Sequence, residues 1–151
     1  MRFRHGINFD LARRIIANTW WRGQAEPSQF LSTPQSWAEL DYMHISDPDM
    51  KAEIVFEVER PGTMHGWSMW FDTLLDDETG FSNHPAKPEI TYGNALFPLE
   101  EPIALLASDS VQLNIRADLL DDDYVFSWST HAFTTDAGDQ IWSYKHERSQ
   151  N

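Results

Sequence analysis

The apolar residues Phe9, Leu11, Ile15, Ile16 and Trp20 recur at close to helical spacing, while Arg13 and Arg14 fall on the polar side. This predicts an N-terminal helix running from Asn8 through Trp21, with Asn8 or Asp10 as its N-cap and Gly23 as its stop. A short turn over residues 27–31, closed by Thr33-Pro34, follows. Beyond Pro34 the period changes to two. In Trp37 to Ile45, Ala38, Leu40 and Tyr42 alternate with Glu39, Asp41 and Met43, which predicts a half-buried strand. Ala52 to Glu59 puts Ile54, Phe56 and Val58 on one face and Glu53, Glu57 and Glu59 on the other. Gly66 to Leu75 carries large residues on both faces, so a central strand covered on both sides is expected. Asn94 to Leu99 reads as a strand, Pro102 to Leu106 as a short separate apolar piece. Ser110 to Leu119 alternates most cleanly, with Val111, Leu113, Ile115 and Ala117 inward. Tyr124 to Phe133 and Gln140 to His146 complete the set. The turn signals between them are Asp47-Pro48-Asp49, Pro61-Gly62, Asp76 to Gly80, Asp121 to Asp123 and Ala137 to Asp139.

The pattern predicts a mainly β chain, an antiparallel barrel or sandwich of about seven to eight strands with a short N-terminal helical arm. The expected division is residues 1–34 for the arm segment and 35–151 for the β domain. Trp20 and Trp21, ahead of an all-strand remainder, fit an arm that projects toward a partner; a helix lying across one end of a barrel fits the same pattern.

Composition narrows the function. With 151 residues and 41% apolar content there is enough material for one sizeable core, and 7 Trp with 9 Phe favour buried or interfacial aromatics. A net charge of −13 argues against tracking nucleic-acid phosphates, which needs clustered Lys and Arg. The chain has no cysteine, so disulfides and thiolate chemistry drop out and the cytoplasm is the expected compartment. The N-terminus lacks the apolar core of a signal peptide, and no window approaches a membrane span. The six histidines show no metal-ligand spacing, the acidic runs do not continue into a calcium loop, and the glycines stand singly at turns rather than in a phosphate-binding loop. No serine sits in a nucleophile elbow. No catalytic and no metal-ligating residue is therefore assigned.

The stretch from Met64 to Pro102 carries a family resemblance. His65-Gly66-Trp67-Ser68-Met69-Trp70-Phe71-Asp72 resembles the strand with an aromatic pair in the C-terminal barrel domain of protein arginine methyltransferases. Gly80-Phe81-Ser82-Asn83-His84-Pro85 resembles that family's Gly-x-Ser-(Thr/Asn)-x-Pro loop. Thr91-Tyr92-Gly93 falls where the family has its Thr-His-Trp loop, and Ala107-Ser108-Asp109 where it has a Gly-Asp/Glu turn. Gly6-Ile7-Asn8-Phe9-Asp10 resembles the entry to the family's dimerisation arm. The resemblance implies substrate binding at Thr91, Tyr92 and Gly93, and dimerisation through Leu11, Ile15, Trp20 and Trp21. It implies a homodimer, an arginine-rich protein or peptide as ligand, and a methyltransferase domain, fused or separate, that binds S-adenosylmethionine. That domain has no counterpart in these residues, so no cofactor is expected on this chain and methyl transfer is expected to depend on a domain outside it. Tyr92 and Gly93 replace the family's His and Trp, which leaves open a stand-alone β-sandwich binding module. The family's first barrel strand also lacks a counterpart; the Met1 to Gly6 segment, the last strand or a neighbouring chain is expected to fill that edge.

Overall fold

The computed structural model describes residues 10–76, 78–88, 90–135 and 139–145. The Asn8 cap, the Met1 to Gly6 edge segment and most of the Ala137 to Asp139 turn lie outside them. The chain divides into two compact units, residues 1–29 with 65–101 and residues 30–64 with 102–151. Among the described residues there are one helix and nine strands, and every strand pairing with a recorded register is antiparallel. The mainly β expectation holds, though among the described residues no sheet closes on itself.

The first unit begins with helix α1 (Asp10–Ala17), which is shorter than its apolar pattern suggests. Asn18 N–H donates to both Arg14 O and Ile15 O, and the Thr19 hydroxyl bonds back to Ile15 O, so the last turn tightens and ends. The next residues gain more from a ladder. Strand β1 (Trp21–Gly23) pairs with Asn94–Leu96, which corrects the expectation that the helix runs on through Trp21. A 3-10 turn at Pro27–Gln29 follows.

The second unit opens with a correction as well. Residues 37–45 form no strand; Asp41 instead closes a turn, its carboxylate accepting from Met43 N–H while Asp41 O accepts from His44 N–H. An Asp side chain that satisfies the backbone two residues on competes directly with a ladder, and the alternation of Leu40 and Tyr42 could not reveal that. Strand β2 (Met50–Glu57) follows, and strand β3 (Gly62–Met69) carries the chain from this unit into the other.

The expected strand over residues 66–75 is broken after Met69 and resumes as β4 (Asp72–Leu74), which pairs with β5 (Gly80–Ser82). The break has a visible cause: Phe71 N–H donates to the Asn83 side chain and Phe71 O accepts from Asn83 N–H. Strand β6 (Asn94–Leu105) joins the two pieces that the sequence separated. Its pairing with β1 stops at Leu96, so Pro98 and Pro102 fall where that side of the strand needs no donor. In the sheet β1-β6-β3 it is β6, not the aromatic strand, that lies in the centre. Gly66 is what lets β3 approach it, because a Cβ there would stand 2.3 Å from Phe97 O.

Strands β7 (Ser110–Leu120), β8 (Asp123–Phe133) and β9 (Gln140–Lys145) complete the sheet β2-β7-β8-β9. The register places Ile115 opposite Trp128, Leu113 opposite Thr130 and Val111 opposite both Phe56 and Ala132. These side chains are buried and form the second unit's core. The acidic run at residues 121–123 turns the chain as expected, with Asp121 at φ 55, a conformation Asp tolerates better than most residues.

Candidate functional site

The residues singled out for substrate binding lie in the first unit, on the loop between β5 and β6. Two buried asparagines hold that loop. Asn83 accepts from Phe71 N–H at 2.8 Å and donates to Gly93 O at 2.7 Å. Asn94 donates to Asn83 O at 2.8 Å and accepts from Ala25 N–H at 3.2 Å. Both amides thus spend a donor and an acceptor on backbone groups, so the loop is pinned to β4 on one side and to the chain after β1 on the other.

Thr91 O accepts from the Arg22 guanidinium of β1. Gly93 lies against the same strand: a Cβ at position 93 would stand 2.8 Å from Gly23 O and 3.0 Å from Arg22 Cγ. A large side chain there is incompatible with β1 in its present place. Tyr92, between them, is 57% exposed and belongs to an aromatic cluster. Its ring centroid is 5.7 Å from Phe71 and 6.3 Å from Phe81, and the two phenylalanines are 5.8 Å apart, edge to face.

A polar cavity of about 20 Å³ lies behind the loop, lined by Gln24, Asn83, His84 and Asn94 among others. It holds at most one water-sized group. A guanidinium side chain has no room there. Beside the loop, the Ser82 hydroxyl holds the Asp72 carboxyl below its ordinary range; partial burial opposes this, and the positive Lys87, 3.5 Å away, adds to the lowering.

In the second unit an open trough of about 530 Å³ lies along the sheet, lined by Lys51, Ala52, Glu53, Ile115, Arg116 and Trp128 among others. Lys51 stands directly opposite Arg116. This is no anion site, since Arg116 is already engaged by Asp118 and feels Asp49 and Asp47 as well. Among the described residues no cluster of His, Cys, Asp or Glu could hold a metal ion.

Of the residues singled out for dimerisation, Leu11 and Ile15 are 71% and 61% exposed on α1, as is Ile16 at 51%. Trp20 is half-buried. Trp21 is partly exposed on β1, its indole donating to Ile16 O at 3.1 Å. The ladder Gly23 to Asn94 brings this segment next to the Tyr92 loop. The sequence reading assigned no role to Asn83, Asn94, Arg22 or Phe81. Asn83 stood within the quoted Gly-x-Ser-Asn motif, which was the available signal.

The profile of the Arginine methyltransferase oligomerization subdomain matches residues 4–132. This chain belongs to that family. The subdomain is 28% identical to mouse (Mus musculus) protein arginine N-methyltransferase 2 over 95 residues, covering 57% of this chain and 21% of the relative. Its fold matches Arabidopsis thaliana protein arginine methyltransferase 10 with a TM-score of 0.72 at 16% identity, covering 85% of this chain and 41% of that one. It also matches the Trypanosoma brucei PRMT1 enzyme-prozyme heterotetrameric complex with AdoHcy, with a TM-score of 0.76 at 15% identity, covering 97% and 49%. The subdomain therefore spans about a fifth of the mouse relative and less than half of each structural match.

Proposed function

We propose that this subdomain dimerises through the α1 segment and docks arginine-bearing peptide on the Tyr92 face, in the service of an S-adenosylmethionine-dependent methyltransferase domain outside this chain. The observation that carries the reading is the exposed apolar stripe of α1 in a chain of the oligomerization-subdomain family. An eight-residue helix gains little from intrinsic propensity, so leaving Leu11, Ile15 and Ile16 in water costs stability that only a partner surface recovers. Trp21 extends the same stripe from β1. For the peptide, the exposed rings supply cation-π contacts and the acidic chain supplies long-range attraction.

Sedimentation velocity on the wild type and on Leu11→Glu/Ile15→Glu tests the dimer. The expected result is a concentration-dependent dimer that becomes a monomer in the double variant with an unchanged melting curve. A wild type that stays monomeric at high concentration would refute the reading. A second reading, a stand-alone binding module that takes part in no methylation, is favoured by Gly93, whose surroundings exclude the aromatic that lines the peptide groove in the resembled family. Titration with an arginine-rich peptide separates the two: affinity lost in Tyr92→Ala supports docking for methylation, whereas no affinity in the wild type supports the module.

A further inference from the structure

Strand β2 lies at one edge of the sheet β2-β7-β8-β9, and among the described residues no further strand pairs with it. The segment of residues 30–36, which has no helix or strand, lies beside that edge. Glu59 N–H donates to Leu31 O at 2.8 Å, and the Gln35 side-chain amide donates to Val55 O at 3.0 Å. Leu31 to Gln35 therefore runs antiparallel to Val55 to Glu59. Midway, one oxygen of the Glu59 carboxylate accepts both from Thr33 N–H, at 3.1 Å, and from the Thr33 hydroxyl. Arg60 Nε donates to Phe30 O at 2.9 Å, and a Cβ at Gly62 would stand 2.6 Å from Leu31 Cδ2, so the segment is closely seated at this end. Side chains thus fasten the cover where a ladder would otherwise do so, and an edge covered in this way opens to pairing when the cover lifts.

Thr33 is where that fastening can be undone. Of the 8 prolines, Pro34 alone follows a serine or threonine. A residue before proline is biased to extended backbone, and proline itself offers no N–H; a proline-directed kinase selects this combination. Thr33, Pro34, Gln35 and Ser36 are all exposed. We infer that Thr33 is a phosphorylation site for a proline-directed protein kinase, and that its phosphate unfastens residues 30–36 from β2. In the transfer, a bond forms between Thr33 Oγ and the γ-phosphorus of a nucleoside triphosphate. The bridging P–O bond breaks to release the diphosphate, and the hydroxyl proton passes to the kinase's catalytic carboxylate. The product replaces a donor by an acceptor group of about −1.5 to −2 charge, placed against the Glu59 carboxylate. Glu57, exposed on the same strand, adds to the repulsion. Arg60 opposes it, but the Glu59 oxygen touches the modified atom itself while Arg60 is turned to Phe30 O, so the repulsion prevails.

The test incubates the full chain with a proline-directed kinase and ATP, beside a synthetic peptide of residues 28–38, and maps the phosphate by mass spectrometry. One phosphate on Thr33 is expected in both, and none in the Thr33→Val chain. Hydrogen exchange then reads the cover: the Thr33 and Glu59 amides should exchange at least about tenfold faster in the phosphorylated chain, having lost a bond to a charged group and a neighbouring backbone bond. In Glu59→Gln the same phosphate should change exchange less than about threefold, because the opposing charge is gone. Both substitutions fall at exposed positions, and matching melting curves confirm that the variants fold. A peptide that is modified while the folded chain is not, or no transfer to either, would overturn the inference. So would exchange that is unchanged on phosphorylation, or slowed by capture of the phosphate on Arg60. The inference does not rest on the methyltransferase reading: Leu11→Glu/Ile15→Glu is expected to leave the phosphate at Thr33 and its effect on exchange intact.

Discussion

Replacing Asn94 by Ala tests whether the loop that carries Tyr92 is held by its amide network or by its hydrophobic neighbours. Asn94 is 4% exposed, and the substitution removes two hydrogen bonds at once. It leaves Asn83 O, in a buried residue, and Ala25 N–H, in a half-buried one, without those partners. A buried group left unsatisfied costs about 1–3 kcal/mol, and the half-buried N–H regains water for part of that, so the expected loss is about 2–4 kcal/mol. The assay is urea unfolding followed by fluorescence, with the loss appearing as a lower midpoint at unchanged slope. Asn114→Ala serves as the control, because its amide meets only Ser129 Oγ at 3.5 Å in a partly exposed place, and less than about 0.5 kcal/mol is expected. Asn83→Ala and the double variant complete a cycle, in which a coupling of at least about 0.5 kcal/mol is expected because both amides hold one loop. A loss below about 1 kcal/mol for Asn94→Ala, or one equal to that of the control, would refute the view that these amides position the site.

Further expectations follow from single residues. Ser108 has φ 72, which costs a non-glycine residue about 1–2 kcal/mol, whereas glycine adds about 0.5–1 kcal/mol of chain entropy; Ser108→Gly should therefore stabilise by roughly 0.5–1 kcal/mol in urea unfolding. Gly93→Ala should cost about 1–3 kcal/mol, since its Cβ meets the Gly23 backbone at 2.8 Å, and should shift the amide resonances of β1. Asp72 has its folded pKa lowered, first by the Ser82 hydroxyl, so its contribution is present above the unfolded value of about 3.9 and is lost as pH falls through the folded value. Asp72→Asn should accordingly lower stability modestly at neutral pH, leave it nearly unchanged at a pH below the folded value, and so flatten the acid limb of a stability-against-pH curve.

How far the structure was legible depends on how local the deciding interactions are. Strands β7 and β8 follow from alternation alone, because each side chain's face is set by its own position and the Asp121 turn fixes their register. The extent of α1, the loop at residues 37–45 and the break after Met69 escaped the pattern for one shared reason. In each, a polar side chain competes for backbone groups: Thr19 at the helix end, Asp41 in the loop, Asn83 at the break. Periodicity counts apolar positions and is blind to such bonds. The site was partly legible. The motif resemblance pointed to the loop, but Asn94 reaches Ala25 across 69 positions, and no local pattern encodes that contact.

Gly93 shows why a residue-by-residue comparison with the resembled family is insufficient. Read alone, glycine in place of a tryptophan is a lost side chain in an otherwise retained groove. The geometry shows a replaced arrangement instead. With no Cβ at position 93, β1 closes against the loop, Arg22 reaches Thr91 O, and Gly23 pairs with Asn94. The aromatic cluster beside it consists of Phe71, Phe81 and Tyr92. Restoring a tryptophan at 93 should therefore not restore a groove. It should displace β1, and with it the Trp21 end of the α1 segment, coupling loss of dimer to loss of the loop in one variant; an intact dimer in Gly93→Trp would contradict this account.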